Sequence, residues 1–175
     1  MDALIIYETM FGNTRQVAEA IADGLSGRAN VAITEVTDAP SAIPSTVDLL
    51  IVGGPTHAFS MSRVTTRQDA VNRGATGTDL SRGIREWLAA LSDGAHPQAF
   101  AAFDTRVDIP LLPGAASRSA TKVAERLGFA VLHPASYLVK GYEGPVVDGE
   151  LDRARIWGEH LADEMVEVRG TRNRP

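Results

Sequence analysis

Three short stretches of the chain carry residue types that could do chemistry. The first is Glu8-Thr9-Met10-Phe11-Gly12-Asn13-Thr14-Arg15, which leaves an apolar run and leads directly into a helical pattern. Two hydroxyls, a glycine and an asparagine within six residues at a helix start form a plausible anion cradle, because free N–H groups and the positive end of the helix dipole face the same point. Thr9 and Thr14 add hydroxyl donors, and Gly12 lets the backbone turn close to an anion. The same residues also suit an ordinary strand-to-helix turn with Asn13 or Thr14 as the N-cap. The second stretch, Gly54-Pro55-Thr56-His57-Ala58-Phe59-Ser60-Met61, opens on a Gly-Gly-Pro turn and brings His57, Phe59 and Met61, side chains suited to lining a planar aromatic ligand. Plugging the core beneath a loop is the plainer role for Phe59 and Met61. The third, Phe103-Asp104-Thr105-Arg106-Val107-Asp108, runs on to Pro110, Pro113 and Gly114.

Competing chemistries lack their residues. There is no cysteine, so disulfides, thiolate metal sites and catalytic thiols are excluded, and any redox chemistry needs a cofactor. Neither G-x-x-x-x-G-K-[ST] nor G-x-G-x-x-G occurs. A phosphoacceptor receiver domain wants an acid at the end of its third strand, where this chain has Gly53-Gly54. His96, His133 and His160 are scattered and support no triad or metal set. A net charge of −5 argues against nucleic acid as partner. That charge is concentrated in residues 148–167, which hold seven acids and two bases, an acidic helix face by default.

The elements that must position these stretches follow from periodicity. Continuous apolar runs at Ala3–Tyr7, Leu49–Val52 and Ala99–Phe103 read as strands covered on both faces of a parallel sheet. The more mixed Val31–Val36 suits a strand nearer an edge, and Phe129–Leu132, extending towards Tyr137-Leu138-Val139, makes a fifth. Helical stripes lie at Val17/Ile21/Leu25, at Ile84/Trp87/Leu88/Leu91, at Ala116/Ala120/Val123/Ala124/Leu127 and at Ala154/Trp157/Leu161/Met165/Val168. Residues 38–47 hold two prolines and predict an irregular second crossover. The alternation predicts one α/β domain over 1–175, a doubly wound five-stranded parallel sheet with helices on both faces, and a fraying tail at 169–175. In such sheets ligands bind beyond the carboxyl ends of the strands, where the three stretches above lie. No run is apolar enough to span a bilayer, and the first residues do not form a secretory signal, so a cytoplasmic location is expected.

Ile5-Ile6-Tyr7-Glu8-Thr9-Met10-Phe11-Gly12-Asn13-Thr14 resembles the phosphate loop of the flavodoxin family, typically [Ser/Thr]-x-Thr-Gly-x-Thr, with Phe11 in place of the middle threonine. An aromatic at that place is also found in related quinone reductases of the tryptophan-repressor-binding-protein type. Pro55-Thr56-His57-Ala58-Phe59 is similar to their Pro-Thr-x-Phe stretch, with one extra residue. The resemblance covers the whole chain in order and implies a flavodoxin-like fold with FMN as cofactor. Thr9, Met10, Phe11, Gly12, Asn13 and Thr14 would then hold the phosphate. Pro55, Thr56, His57, Ala58 and Phe59 would border the isoalloxazine, and Asp104, Thr105, Arg106 and Val107 would reach its pyrimidine edge. The third stretch lacks the Tyr or Trp that flavodoxins often stack on the ring, and Trp87 and Trp157 read as core.

His57 is the candidate catalytic residue, as a proton donor near flavin N5 or a bound quinone, with a simple polar contact as its alternative role. His57-Ala58-Phe59-Ser60 contains no glycine, and a positive φ costs another residue about 1–2 kcal/mol, so the peptide flip common in flavodoxins is expected to be disfavoured here.

The long connection 60–83 carries Arg63, Arg67, Arg73 and Arg82 against Asp69 and Asp79, a mild basic excess beside the expected site. Lys140-Gly141-Tyr142-Glu143-Gly144-Pro145 reads as a surface excursion with no chemistry assigned. The leading expectation is an FMN-binding electron-transfer protein that passes electrons to a redox partner protein or a small-molecule acceptor. The alternatives are an NAD(P)H- or quinone-reducing flavoenzyme, motivated by the basic 60–83 segment, and a cofactor-free module that binds an anion or a partner.

Overall fold

The computed structural model describes residues 1–76, 79–94, 96–109 and 113–172, the side chains of 168–172 excepted. Pro110, Val168 as a core side chain and the tail expected to fray at 169–175 therefore lie outside the described residues, in side chains or altogether, although helix runs to Arg172.

The sheet is built from β1 (Asp2–Tyr7), β2 (Asn30–Glu35), β3 (Leu49–His57), β5 (Ala99–Val107) and a fifth position filled in two pieces, β6 (Ala130–Val131) and β7 (Ala135–Val139). Its order is β2-β1-β3-β5-β6, all parallel, with β7 also paired to β5. The five-stranded expectation holds in this sense. A further strand, β4 (Ser60–Met61), pairs antiparallel with the end of β3 outside the main sheet. β2 sits at an edge and is largely exposed, as its mixed sequence requires.

Helices cover both faces, and that is why the central strands are apolar throughout. Ala3, Ile5, Leu49, Ile51, Ala101 and Phe103 face α1 (Asn13–Leu25) and α5 (Glu150–Arg172). Leu4, Ile6, Leu50, Val52, Phe100 and Ala102 face α3 (Ile84–Ala89) and α4 (Ala116–Leu127). Ile5, Ile6, Leu50 and Ile51 have no exposed surface, and each such side chain contributes about 1.5–3 kcal/mol of burial. α1 and α5 cross closely at Gly24 and Gly158, where a Cβ would run into the opposite backbone at Arg155 and Ile21. Residues 38–48 connect β2 to β3 without a helix, as the prolines predict. Trp87 is core, with its indole N–H donating to the Pro40 carbonyl, and Trp157 packs edge-on to Phe103 and Tyr137.

Three local expectations are corrected. β3 does not stop at Val52: it continues through Gly53-Gly54-Pro55 to His57, paired with β5 as far as Pro55↔Thr105. Gly53 is needed there because the Phe103 ring lies where a Cβ would go. β1 ends opposite Gly53, so Pro55 has a parallel neighbour on one side only and its missing N–H is tolerated. β5 likewise runs to Val107, which makes Asp104–Val107 strand rather than loop. The long connection is not structureless, since it holds β4 and α2 (Val64–Asn72).

Candidate functional site

The carboxyl ends of β1, β3, β5 and β7 open into one cleft lined by Thr9, Met10, Phe11, Asn13, Thr14, Pro55, Thr56, His57, Thr105, Arg106, Val107, Val139 and Tyr142, with an empty volume of about 400 Å³ measured out to solvent. Most of the site residues expected from sequence meet here. Four do not line the cleft. Gly12 forms the turn just before α1, Asp104 is fully buried below, and Ala58 and Phe59 project as an exposed turn.

The first stretch is shaped by Gly12, whose φ of 84° is left-handed and suits glycine. Its N–H donates to Thr9 Oγ1 at 3.0 Å. Neither Asn13 nor Thr14 acts as the N-cap: α1 starts at Asn13 with no side-chain cap at all. Instead Asn13 Nδ2 donates to the Glu143 carbonyl at 2.8 Å, and Thr14 Oγ1 lies 2.8 Å from Thr105 Oγ1 in a buried pair. A helix leaves its first N–H groups without internal partners, so this uncapped end keeps donors for an anion.

At the end of β3, Thr56↔Met61 and His57↔Ser60 pair antiparallel, which leaves Ala58 and Phe59 as a two-residue hairpin turn. Their φ values are 46° and 68°. Two positive values in a two-residue turn are the type I′ geometry, normally filled by Asn-Gly. The glycine-free stretch thus carries the left-handed backbone at two non-glycine residues, each at a cost of about 1–2 kcal/mol. Strand pairing and the close approach of Phe59 to Gly114, where a Cβ would strike the Phe59 carbonyl, hold the turn in place. Thr56 points its hydroxyl at α4 and accepts the Ala116 N–H at 2.8 Å. Asp104 reinforces that cap: its Oδ2 accepts from Ser117 N and Ser136 Oγ, both at 3.0 Å, and burial pushes its carboxyl above the usual range.

His57 lines the cleft with its Nδ1 buried and without a hydrogen-bond partner. Burial first, and the Arg67 charge second, hold its pKa below the ordinary value, so the imidazole is neutral at pH 7.

Sequence reasoning missed two groups of residues. Beneath the second stretch, Glu8, Ser62, Arg67 and Glu86 form a buried polar network. Arg67, with no exposed surface, donates from Nε to the Leu80 carbonyl at 2.9 Å and from Nη1 to Ser62 Oγ at 2.8 Å, and Nη2 pairs with Glu86 Oε2 at 3.0 Å. Glu8 accepts from Ser62 Oγ and from the Ile84 N–H at 2.9 Å, with Arg67 Nη1 3.9 Å away. Burial raises the Glu8 pKa, against the hydrogen bonds and the Arg67 charge. The supposed basic excess of 60–83 is thus partly spent internally: Arg67 is buried, and Arg82 donates to the Thr37 and Ala39 carbonyls.

The second group is a single residue, Tyr142. Its ring, from the turn after β7, approaches Phe11 edge-on at 6.1 Å and faces His57 at 6.3 Å with a 28° interplanar angle. Nothing in the local sequence signals this, because the contact spans more than 80 residues.

An anion would suit the uncapped α1 end with its two threonines, and a planar ring would suit the His57, Phe11 and Tyr142 surfaces. The residues present therefore fit FMN. Among the described residues no cluster could hold a metal ion, and no helix is long and apolar enough to cross a membrane.

Comparison with known proteins gives the same answer for the fold. Residues 4–76 match a family model described as a flavodoxin domain. The flavodoxin of Streptococcus pneumonia TIGR4 superposes with a TM-score of 0.67 at 16% identity, covering 94% of this chain and 99% of that one. Oxidised flavodoxin 1 from Bacillus cereus gives 0.66 at 17% identity, covering 95% and 98%. The rubredoxin oxygen:oxidoreductase of Desulfovibrio gigas gives 0.60 at 14% identity, covering 95% of this chain and 36% of that one. No curated relative matches the sequence. At these identities the solved structures speak for the fold alone. Residues 4–76 match the flavodoxin-domain model, and along nearly its whole length the chain has the fold of the flavodoxin structures.

Proposed function

We propose that the protein binds FMN in the cleft above β1, β3, β5 and β7 and serves in electron transfer, with a partner protein or a small molecule as acceptor. One observation carries this reading: the first turn of α1 has no side-chain cap and is flanked by Thr9 and Thr14, in a cleft that also presents the rings of Phe11, His57 and Tyr142. In this arrangement the α1 amides and the two hydroxyls hold a phosphate dianion, favoured by the helix dipole. His57, neutral at pH 7, offers a planar face and an unpartnered Nδ1 to the ring system. When bound, FMN supplies the electron-carrying chemistry that a chain without cysteine needs from a cofactor. The protein's own part is to orient the ring, exclude water from one side of it and set the surrounding charge.

The carrier reading is favoured over an NAD(P)H- or quinone-reducing flavoenzyme. That alternative rested on the basic 60–83 segment, and Arg67 and Arg82 of that segment are committed to internal carbonyls and carboxylates. The visible spectrum of the purified protein, before and after adding FMN, tests the reading. Bound flavin absorbance that survives desalting supports it; a colourless protein that retains no added FMN refutes it. Rapid NADPH oxidation by the loaded protein alone would overturn the carrier assignment.

A further inference from the structure

The turn Lys140–Pro145, unremarkable in sequence, is fastened to the first stretch. Its base is closed by the Lys140 N–H donating to the Pro145 carbonyl at 2.8 Å, and its tip is held by the Asn13 Nδ2 bond to the Glu143 carbonyl. Gly144, at φ 103°, lies so close to Asn13 that a Cβ would strike the amide group. The backbone anchors of the turn therefore place Tyr142 at the cleft, opposite His57.

The two rings are tilted by only 28° and their centroids are 6.3 Å apart. Each face of a planar aromatic ring needs about 3.5 Å of contact distance, so a ring held between two others needs about 7 Å. The centroid separation is already below that, so the Tyr142 ring must move outward to admit a third ring. Arg73, which does not line the cleft, sets its guanidinium over the Tyr142 ring at 4.5 Å. Phe11 braces the same ring edge-on. Tyr142 is 43% exposed, so a small outward shift of its ring meets little packing resistance.

Resting on the FMN reading, we propose that Tyr142 supplies the ring-stacking aromatic that the third stretch lacks, clamping the isoalloxazine against His57 from the turn after the fifth strand position. The electron-rich phenol then lies in van der Waals contact with the flavin.

Titration of the apo-protein with FMN, followed by flavin fluorescence, tests this. A stacked tyrosine quenches an excited flavin by electron transfer. The wild type is expected to bind FMN with strong loss of emission. Tyr142→Ala should bind about 3- to 10-fold more weakly and leave the bound flavin distinctly more emissive. Tyr142→Phe should restore affinity to within about 3-fold while the emission stays high, because phenylalanine stacks but is not oxidised; a merely structural role would not separate the two readouts. If the wild type binds FMN and Tyr142→Ala matches it in both affinity and quenching, this inference falls and the FMN reading stands. If the wild type binds no FMN, both fall together.

Discussion

Replacing Ala58 by glycine should stabilise the protein, against the usual direction of that substitution. Ala58 holds φ 46° in an exposed turn, and a left-handed backbone costs a non-glycine residue about 1–2 kcal/mol. Glycine removes that strain but adds about 0.5–1 kcal/mol of unfolded-chain entropy. The net gain is about 0.5–1 kcal/mol, which for a chain of this size raises Tm by about 1–4 °C. Phe59→Gly relieves similar strain at φ 68° but gives up the buried half of an aromatic side chain, about 1 kcal/mol, and should leave Tm nearly unchanged. Ala22→Gly within α1 is the control and should cost about 1 kcal/mol, lowering Tm by about 2–4 °C. Thermal unfolding followed by circular dichroism reads all three. An Ala58→Gly variant that loses as much stability as Ala22→Gly would refute the left-handed turn and the reasoning built on it.

The buried network under the second stretch makes its own demands. A Cβ on Gly83 would fall 2.7 Å from Glu8 Oε2 and closer still to Arg67 Nη1, so Gly83→Ala should lose about 1–3 kcal/mol in urea denaturation; an unchanged midpoint would contradict the network. Arg67→Met strands Glu8 and Glu86 and should cost about 3–5 kcal/mol at neutral pH. Because the folded Glu8 pKa is raised, its contribution to stability is present at low pH and lost as pH rises through that pKa. The Arg67→Met deficit should therefore be larger at pH 8 than at pH 5, and the reverse order would be contrary evidence. For His57 the folded pKa is depressed from 6.5, so its contribution is present above 6.5 and lost as pH falls through the lowered value. Its imidazole proton resonance in NMR should titrate with a midpoint below 6.5, and a midpoint above it would show that burial does not govern the ring.

The strands and helices of the parallel sheet were legible because both of its faces are covered. Two-sided burial turns strands such as Ala3–Tyr7 and Ala99–Phe103 into continuous apolar runs, and the intervening stripes at three- and four-residue spacing name the helices. The extension of β3 through Gly53-Gly54-Pro55 was not legible, because those residues read locally as a turn and become strand only when β5 lies beside them and Phe103 needs the space over Gly53. α2 was hidden for a related reason. Its stability comes from Arg67 reaching Glu8, Ser62 and Glu86 across the fold rather than from an apolar stripe. At the site, Thr9, Asn13 and Thr14 were recognisable because a strand-to-helix turn with hydroxyls and a glycine is a local pattern. The contacts of Tyr142 with Phe11 and His57, and the capping of α4 by Thr56, are long-range and leave no local trace.

The central claim is that the uncapped start of α1 with Thr9 and Thr14 receives the phosphate of FMN. Calorimetric titration of the apo-protein with FMN and, separately, with riboflavin tests it most directly, because the two ligands share the ring and differ in the phosphate. Charge-assisted hydrogen bonds from the α1 amides predict that FMN binds at least about tenfold more tightly than riboflavin. Equal affinities, or no binding of either ligand, would contradict the account.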